Sequence, residues 1–152
     1  MDIRNNIFVS QNSPAFDYNE DSLTLLNLDY NIYYSPSATL VRFNGVNFAD
    51  LPSFLTAQPI FNTNALEGNP QYIDSTSNLH VLGSLANDVG DNSVGITGDI
   101  DGDSRPFSGS TIVDIGADEF DPPACFPIST SELLNATLNS IEISFNEPFN
   151  IY

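Results

Sequence analysis

Asp99, Asp101 and Asp103 stand two residues apart in Asp99-Ile100-Asp101-Gly102-Asp103. An extended backbone sends alternate side chains to one side, so the three carboxylates would face the same way. Hard oxygen ligands gathered like this suit Ca²⁺. An EF-hand is excluded, because its loop needs Gly at the sixth position and Glu at the twelfth, and these are Ser104 and Ser110. The competing reading is an Asp-rich turn whose carboxylates accept backbone N–H bonds and pair with Arg105. The first reading makes Ca²⁺ a cofactor; the second needs none.

Other chemistry-bearing residues point to structure more than to catalysis. Asp118 and Glu119 are adjacent, so in a strand they face opposite ways. By themselves they cannot flank one glycosidic bond. His80 is the only histidine, and no nucleophile-elbow motif accompanies it. A zinc site would need further His or Cys ligands, and the only Cys is Cys125. His80 therefore reads as a strand residue with its ring packed or hydrogen-bonded. Tyr18, Tyr30, Tyr33, Tyr34, Phe43 and Phe48 supply flat apolar rings that either fill an interior or stack on sugars. Tyr33 and Tyr34 are kept as carbohydrate contacts, because strand neighbours face opposite ways. No catalytic residue is assigned.

Charge narrows the partners. Among 152 residues there are 20 acidic ones, three arginines and no lysine, for a formal net charge of −17. Neutralising a nucleic-acid backbone needs Lys and Arg, so nucleic acid is excluded as a partner. An anionic membrane surface is excluded on the same ground, and no window has the apolar length of a membrane span. Divalent cations and neutral glycans remain compatible, and solubility accounts for the charge without any partner. Cys125 is alone, so no intrachain disulfide forms and the compartment is not identified. The start, Met1-Asp2-Ile3-Arg4, carries no signal segment; a secreted parent would have its signal upstream.

The elements that must position these residues are short strands. Asn6-Ile7-Phe8-Val9-Ser10 returns as Asn31-Ile32-Tyr33-Tyr34-Ser35, a spacing of 31 − 6 = 25 residues. That is the period of a solenoid coil, which must stack on neighbours to bury its apolar face. Leu23-Thr24-Leu25-Leu26 and Leu40-Val41-Arg42-Phe43 are further strand-like runs, separated by turn formers such as Ser35-Pro36-Ser37. The repeated copies do not alternate cleanly, which favours a parallel stack. One short helix is expected, capped by Asp50, with Leu51, Phe54 and Leu55 on one face. Gln71–Asp74, Leu79–Val81 and Ile112–Ala117 read as strands, and most of 83–111 as loop. Asp121-Pro122-Pro123 reads as a linker, and Ile141, Ile143 and Phe145 alternate with polar residues beyond it.

An ordered series of motifs carries a family resemblance. It runs through Asn69-Pro70-Gln71-Tyr72-Ile73-Asp74, Leu79-His80-Val81, Asp99-Ile100-Asp101-Gly102-Asp103-Ser104-Arg105-Pro106 and Asp114-Ile115-Gly116-Ala117-Asp118-Glu119-Phe120. The series resembles the C-terminal end of bacterial secreted right-handed parallel β-helix proteins of the choice-of-anchor Q type, similar in fold to pectate lyases. Ser84-Leu85-Ala86 departs from the Ser-Pro-Ala usual there. Residues 122–152 resemble the opening of a fibronectin type III domain, with Phe145 where many such domains have Trp.

The resemblance implies an all-β chain: C-terminal coils and end-covering loops of a parallel β-helix over 1–121, then a linker and partial β-sandwich over 122–152. Arg105, Asp114 and Glu119 would form a structural closing motif at the end of the stack. The family's lyases use Lys or Arg as base, usually beside Ca²⁺; this chain has no Lys, and Arg is a poor base. The expected function is a non-catalytic, extracellular or cell-surface end-piece associated with polysaccharide. Its other partners would be upstream coils and a downstream domain of the same parent chain. The alternative is a fragment of a polysaccharide lyase or glycoside hydrolase whose active site lies upstream.

Overall fold

The computed structural model describes residues 1–20, 26–83 and 85–120. Of the strand read over Leu23–Leu26 only Leu26 is described, and it lies in no strand; Leu23–Leu25, the Ser84 departure and everything over 121–152 lie outside the described residues. Within them the chain is broadly all-β, with strands in parallel and mixed sheets and one α-helix.

Three short strands, β1 (Asp2–Arg4), β2 (Ile7–Val9) and β3 (Phe16–Tyr18), form the first tier. They are followed by β4 (Asn27–Asp29), β5 (Ile32–Tyr34) and β6 (Val41–Phe43). Each first-tier strand pairs parallel with its counterpart: Asp2 with Asn27, Ile7 with Ile32 and Phe16 with Val41. Every offset is 25 residues (27 − 2, 32 − 7, 41 − 16), so the sequence repeat is also the pairing register. The same bend recurs between strands. Asn5 (φ 57°) and Tyr30 (φ 52°) adopt the left-handed conformation at equivalent positions, where Asn is among the more tolerant side chains.

Asparagines tie the tiers beside that bend. Asn31 is fully buried; its Oδ1 accepts from Asn6 N at 3.0 Å and Asn6 Nδ2 at 3.1 Å, and its Nδ2 donates to Ile3 O at 2.9 Å. Asn62, also buried, continues the series, accepting from Tyr33 Oη at 3.0 Å. Buried amides placed this way satisfy backbone groups that the strands leave over at the corner.

The third tier is shorter. β8 (Leu66–Glu67) pairs parallel with β5. On the other sheet Asn44-Gly45 reverses the chain, with φ of 48° and 78°, and β7 (Val46–Phe48) returns antiparallel to β6. Positive φ at both central residues is what a two-residue hairpin demands, and Asn-Gly supplies it. Helix α1 (Leu51–Ala57) follows, with Asp50 Oδ1 accepting from Ser53 N at 2.8 Å. Its Phe54 packs on Phe43 and Phe48 at ring separations of 5.3 and 5.2 Å. The core is a run of touching rings from Phe8 through Phe16, Tyr18, Tyr33 and Phe43 to Phe61.

From residue 69 onward the architecture changes. β9 (Tyr72–Asp74) and β10 (Asn78–Val81) form an antiparallel hairpin. The expected strand over 112–117 is absent: these residues form no ladder. Their polar backbone groups are taken one by one, Ile115 N by Ala86 O, Asp114 N by the Glu119 carboxylate, and Asp114 O and Gly116 O by Arg105. A second core of Ile32, Val81, Ala86 and Ile115 joins this segment to the stacked strands. Gly116 fits there because a Cβ would lie 2.8 Å from Ile7 Cδ1, at a φ of 117° that disfavours side chains.

Candidate functional site

Arg105, Asp114 and Glu119 come together as a buried knot. The Arg105 and Glu119 side chains are 5% and 0% exposed, and Arg105 Nε lies 2.9 Å from Glu119 Oε2. The remaining guanidinium N–H groups donate to Gly116 O at 2.8 Å and Asp114 O at 2.6 Å. Glu119 also accepts from Phe107 N at 2.9 Å and Asp114 N at 3.1 Å. Asp114 accepts from Asp88 N at 2.7 Å and Phe120 N at 2.9 Å. Burial pushes its carboxyl up to about 6, against the pull of those two N–H groups. The knot fastens four loop segments and leaves no open face for a substrate on these carboxylates.

The Asp99–Asp103 turn has the backbone-accepting carboxylate of the second sequence reading but not its Arg105 pairing. Asp99 Oδ1 accepts from Asp101 N at 2.9 Å and Asp103 N at 2.8 Å, and its Oδ2 accepts from Glu119 N at 3.3 Å. Burial pushes Asp99 up, but these N–H groups outweigh it and hold the carboxyl below its ordinary value. Arg105 turns away to Glu119, so the expected pairing of Arg105 with the turn's carboxylates is corrected. Of the three aspartates, only Asp101 enters a ligand-like group among the described residues, and its companions there are His80 and Asp118. Local hydrogen bonding has overridden the alternation that would place Asp99, Asp101 and Asp103 on one side.

That group draws on three segments. His80 stands on β10, and its Nε2 lies 2.6 Å from Asp101 Oδ2. Its Nδ1 meets Asn78 Oδ1, the oxygen that also accepts His80 N at 3.1 Å. Asp118, 5% exposed, accepts from Val81 N at 3.0 Å. Ile100 N donates to Ala117 O at 3.0 Å, which draws the acidic turn against the closing segment. The Asp101 hydrogen bond, with the charges of Asp118 and Asp99, raises the His80 pKa above its ordinary value, although desolvation opposes it. No local spacing in the sequence links residues 80, 101 and 118; the hairpin and the turn bring them together.

The two tyrosines separate. Tyr33 is fully buried, stacked on Phe8 with ring centroids 5.5 Å apart, and its hydroxyl donates to Asn62. Burial pushes that hydroxyl up. The expectation of Tyr33 as a sugar contact is therefore corrected: its ring belongs to the interior. Tyr34 faces the other way, half-buried, and lines a groove of about 470 Å³ with Gln11, Asn69, Gln71, Tyr72 and Asp74. Two aromatic side chains beside amides and a carboxylate make a surface suited to sugar rings and hydroxyls. The sequence offered Tyr34 but not its companions, which the β9 segment carries across the fold.

A larger cleft of about 540 Å³ lies along Ile7, Phe8, Leu79, Ile96 and Ile100. Its charged lining is committed internally. Arg4 pairs with Asp91 at 2.5 Å and Asp2 at 2.6 Å, and Arg105 pairs with Glu119. On the outer strand surface Arg42 pairs with Asp17. The partner carboxylates raise the Arg4 and Arg42 pKa values further, which makes both still poorer bases.

No protein family, curated protein or solved structure matches this chain.

Proposed function

We propose that this chain is the C-terminal portion of an extracellular or cell-surface right-handed parallel β-helix protein of the choice-of-anchor Q type. In this reading it is non-catalytic and contacts polysaccharide through the groove at Tyr34. The observation that carries the fold half is the constant 25-residue register of three parallel strand pairs. A coil that closes on itself and stacks on the next produces that register. Among the described residues β1, β2 and β3 are each paired along one edge only, the place an upstream coil of the parent would occupy. The groove carries the binding half, through an outward Tyr34 set among side chains able to bond hydroxyls. The alternative is a fragment of a polysaccharide lyase or glycoside hydrolase whose active site lies upstream; the arginines of this chain are themselves held by carboxylates. No helix among the described residues is long and apolar enough to cross a membrane.

Two experiments test the proposal. Retention of the chain on insoluble neutral polysaccharides should fall sharply in Tyr34→Ala; equal retention of both proteins, or none of either, overturns the binding half. Unpaired parallel edges invite intermolecular pairing, so the isolated chain should self-associate. A monodisperse monomer in light scattering would count against an upstream stack.

A further inference from the structure

The geometry points to a divalent transition-metal site, of the Zn²⁺ class, formed by His80, Asp101 and Asp118 at the junction of β10, the acidic turn and the closing segment. It is separate from the Tyr34 groove and does not depend on polysaccharide binding. One ligand atom from each of the three residues lies within 4.8 Å of the others. Two carboxylates brought in from distant segments stand where the sequence offered no further His or Cys, and Zn²⁺ accepts His nitrogen together with Asp oxygen, whereas Ca²⁺ takes oxygen ligands.

The surroundings of the ring argue for a cation between these groups. Asn78 Oδ1 accepts the His80 backbone N–H, which orients the amide with its oxygen toward the ring. His80 Nδ1 meets the same oxygen, an acceptor, which assigns the ring proton of the neutral tautomer to Nδ1. Nε2 then faces the Asp101 carboxylate at 2.6 Å. A nitrogen lone pair facing a carboxylate is repulsive unless a second ring proton or a metal ion sits between them. A proton needs one acceptor, and Asp101 provides it. Asp118 is what the proton does not require: a second, buried carboxylate, held by Val81 N–H at 3.0 Å and brought within reach of the same point. An imidazole whose far nitrogen is fixed by a carbonyl oxygen, and a carboxylate anchored by a backbone N–H, are the outer supports that orient metal ligands.

Zn²⁺ bonds nitrogen and oxygen at about 2.0–2.2 Å, which sets tetrahedral ligand separations near about 3.3 Å. The His80–Asp101 contact must widen from 2.6 Å, and any spacing beyond the tetrahedral separation must close. The side chains of His80 and Asp101 are 38% and 54% exposed, so both have room to turn. Three protein ligands leave the fourth position to water.

The test is calorimetric titration of the EDTA-stripped full chain with ZnCl₂, followed in parallel by the imidazole NMR signals of its single histidine. Saturable binding of one equivalent is expected, with the His80 signals shifting in step. His80→Gln and Asp101→Asn should each weaken binding by about tenfold or more. Asp103→Asn, an exposed neighbour outside the group, should not. Cys125→Ser should retain full affinity, since the proposed site contains no thiol. Binding unchanged in His80→Gln overturns the proposal. So does loss in Cys125→Ser, loss of equal size in Asp103→Asn, or the absence of saturable binding. CaCl₂ is the companion titration; Ca²⁺ binding that matches Zn²⁺ and survives His80→Gln would replace this site with an oxygen-only one.

Discussion

Among the described residues up to 67 many backbone N–H groups find carbonyls on a neighbouring strand, whereas between 69 and 120 many find carboxylates. In the first region one register serves three strand pairs, and a continuous run of aromatic rings fills the space between sheets. In the second, Asp99, Asp114, Asp118 and Glu119 each accept at least one backbone N–H. Ladder and carboxylate solve the same problem, because a buried N–H without a partner is costly. They fail differently. A ladder shares its load among equivalent bonds, while a carboxylate knot concentrates it in a few residues that depend on one another.

The largest effect that would sharpen this contrast is the loss of the buried cation. Arg105→Ala leaves Glu119 charged and fully buried, and breaking such a pair costs about 3–5 kcal/mol. Amide exchange should accelerate over 85–120 while β2 and β5 keep their protection. A loss spread evenly over both regions would break the comparison.

A pH experiment comes next. The Asp114 carboxyl is raised in the folded state from an ordinary 3.8 to about 6. The folded chain therefore holds this proton more tightly than the unfolded chain. The associated stability is intact below about pH 4 and is lost as pH rises through about 6, an effect on the order of 1–3 kcal/mol. Carboxyl-resolved NMR titration should place the midpoint well above that of an ordinary aspartate. A midpoint below 4 would mean that the N–H groups of Asp88 and Phe120 outweigh burial.

Within the stacked region the corresponding test is smaller. Tyr33→Phe removes the hydroxyl bonded to Asn62 Oδ1 and should cost about 1–2 kcal/mol in denaturant unfolding. Asn62 Nδ2 already lacks a partner among the described residues, so this buried amide is the weak rung of the series. A change near zero would show that the rings, not the amides, hold the tiers. Smallest of all is Arg42→Ala. The Arg42–Asp17 pair joins tiers on the solvent side, with half-exposed side chains, and its removal should leave the melting temperature unchanged. A clear drop would mean that side-chain pairs, not backbone bonds, hold the first region.

Sequence and structure agree where interactions are local or periodic. The Asn6–Ser10 and Asn31–Ser35 copies pair in register because identical spacing lets every strand of a tier meet its counterpart at once. Helix α1 begins at its Asp50 cap with Leu51 and Phe54 buried, since capping and 3.6-residue periodicity act within a few residues. The Asn44-Gly45 turn was equally local in its physics, yet a purely parallel reading of 40–43 leaves out β7, which covers the far edge of β6.

By itself the sequence determined the all-β character, the 25-residue tier, the short helix and the strongly acidic charge. Each follows from composition or from short-range periodicity. Tertiary structure alone decided which of two neighbouring tyrosines faces outward, because alternation separates Tyr33 from Tyr34 without saying which side is the core. It also decided that Arg105 meets Glu119 rather than the aspartates beside it, and that Asp101 meets His80 and Asp118. Those contacts span 14, 21 and 37 residues through Arg105–Glu119, His80–Asp101 and Val81–Asp118. Partners at such separations are selected by where loops dock, and no spacing rule in a single chain encodes that docking.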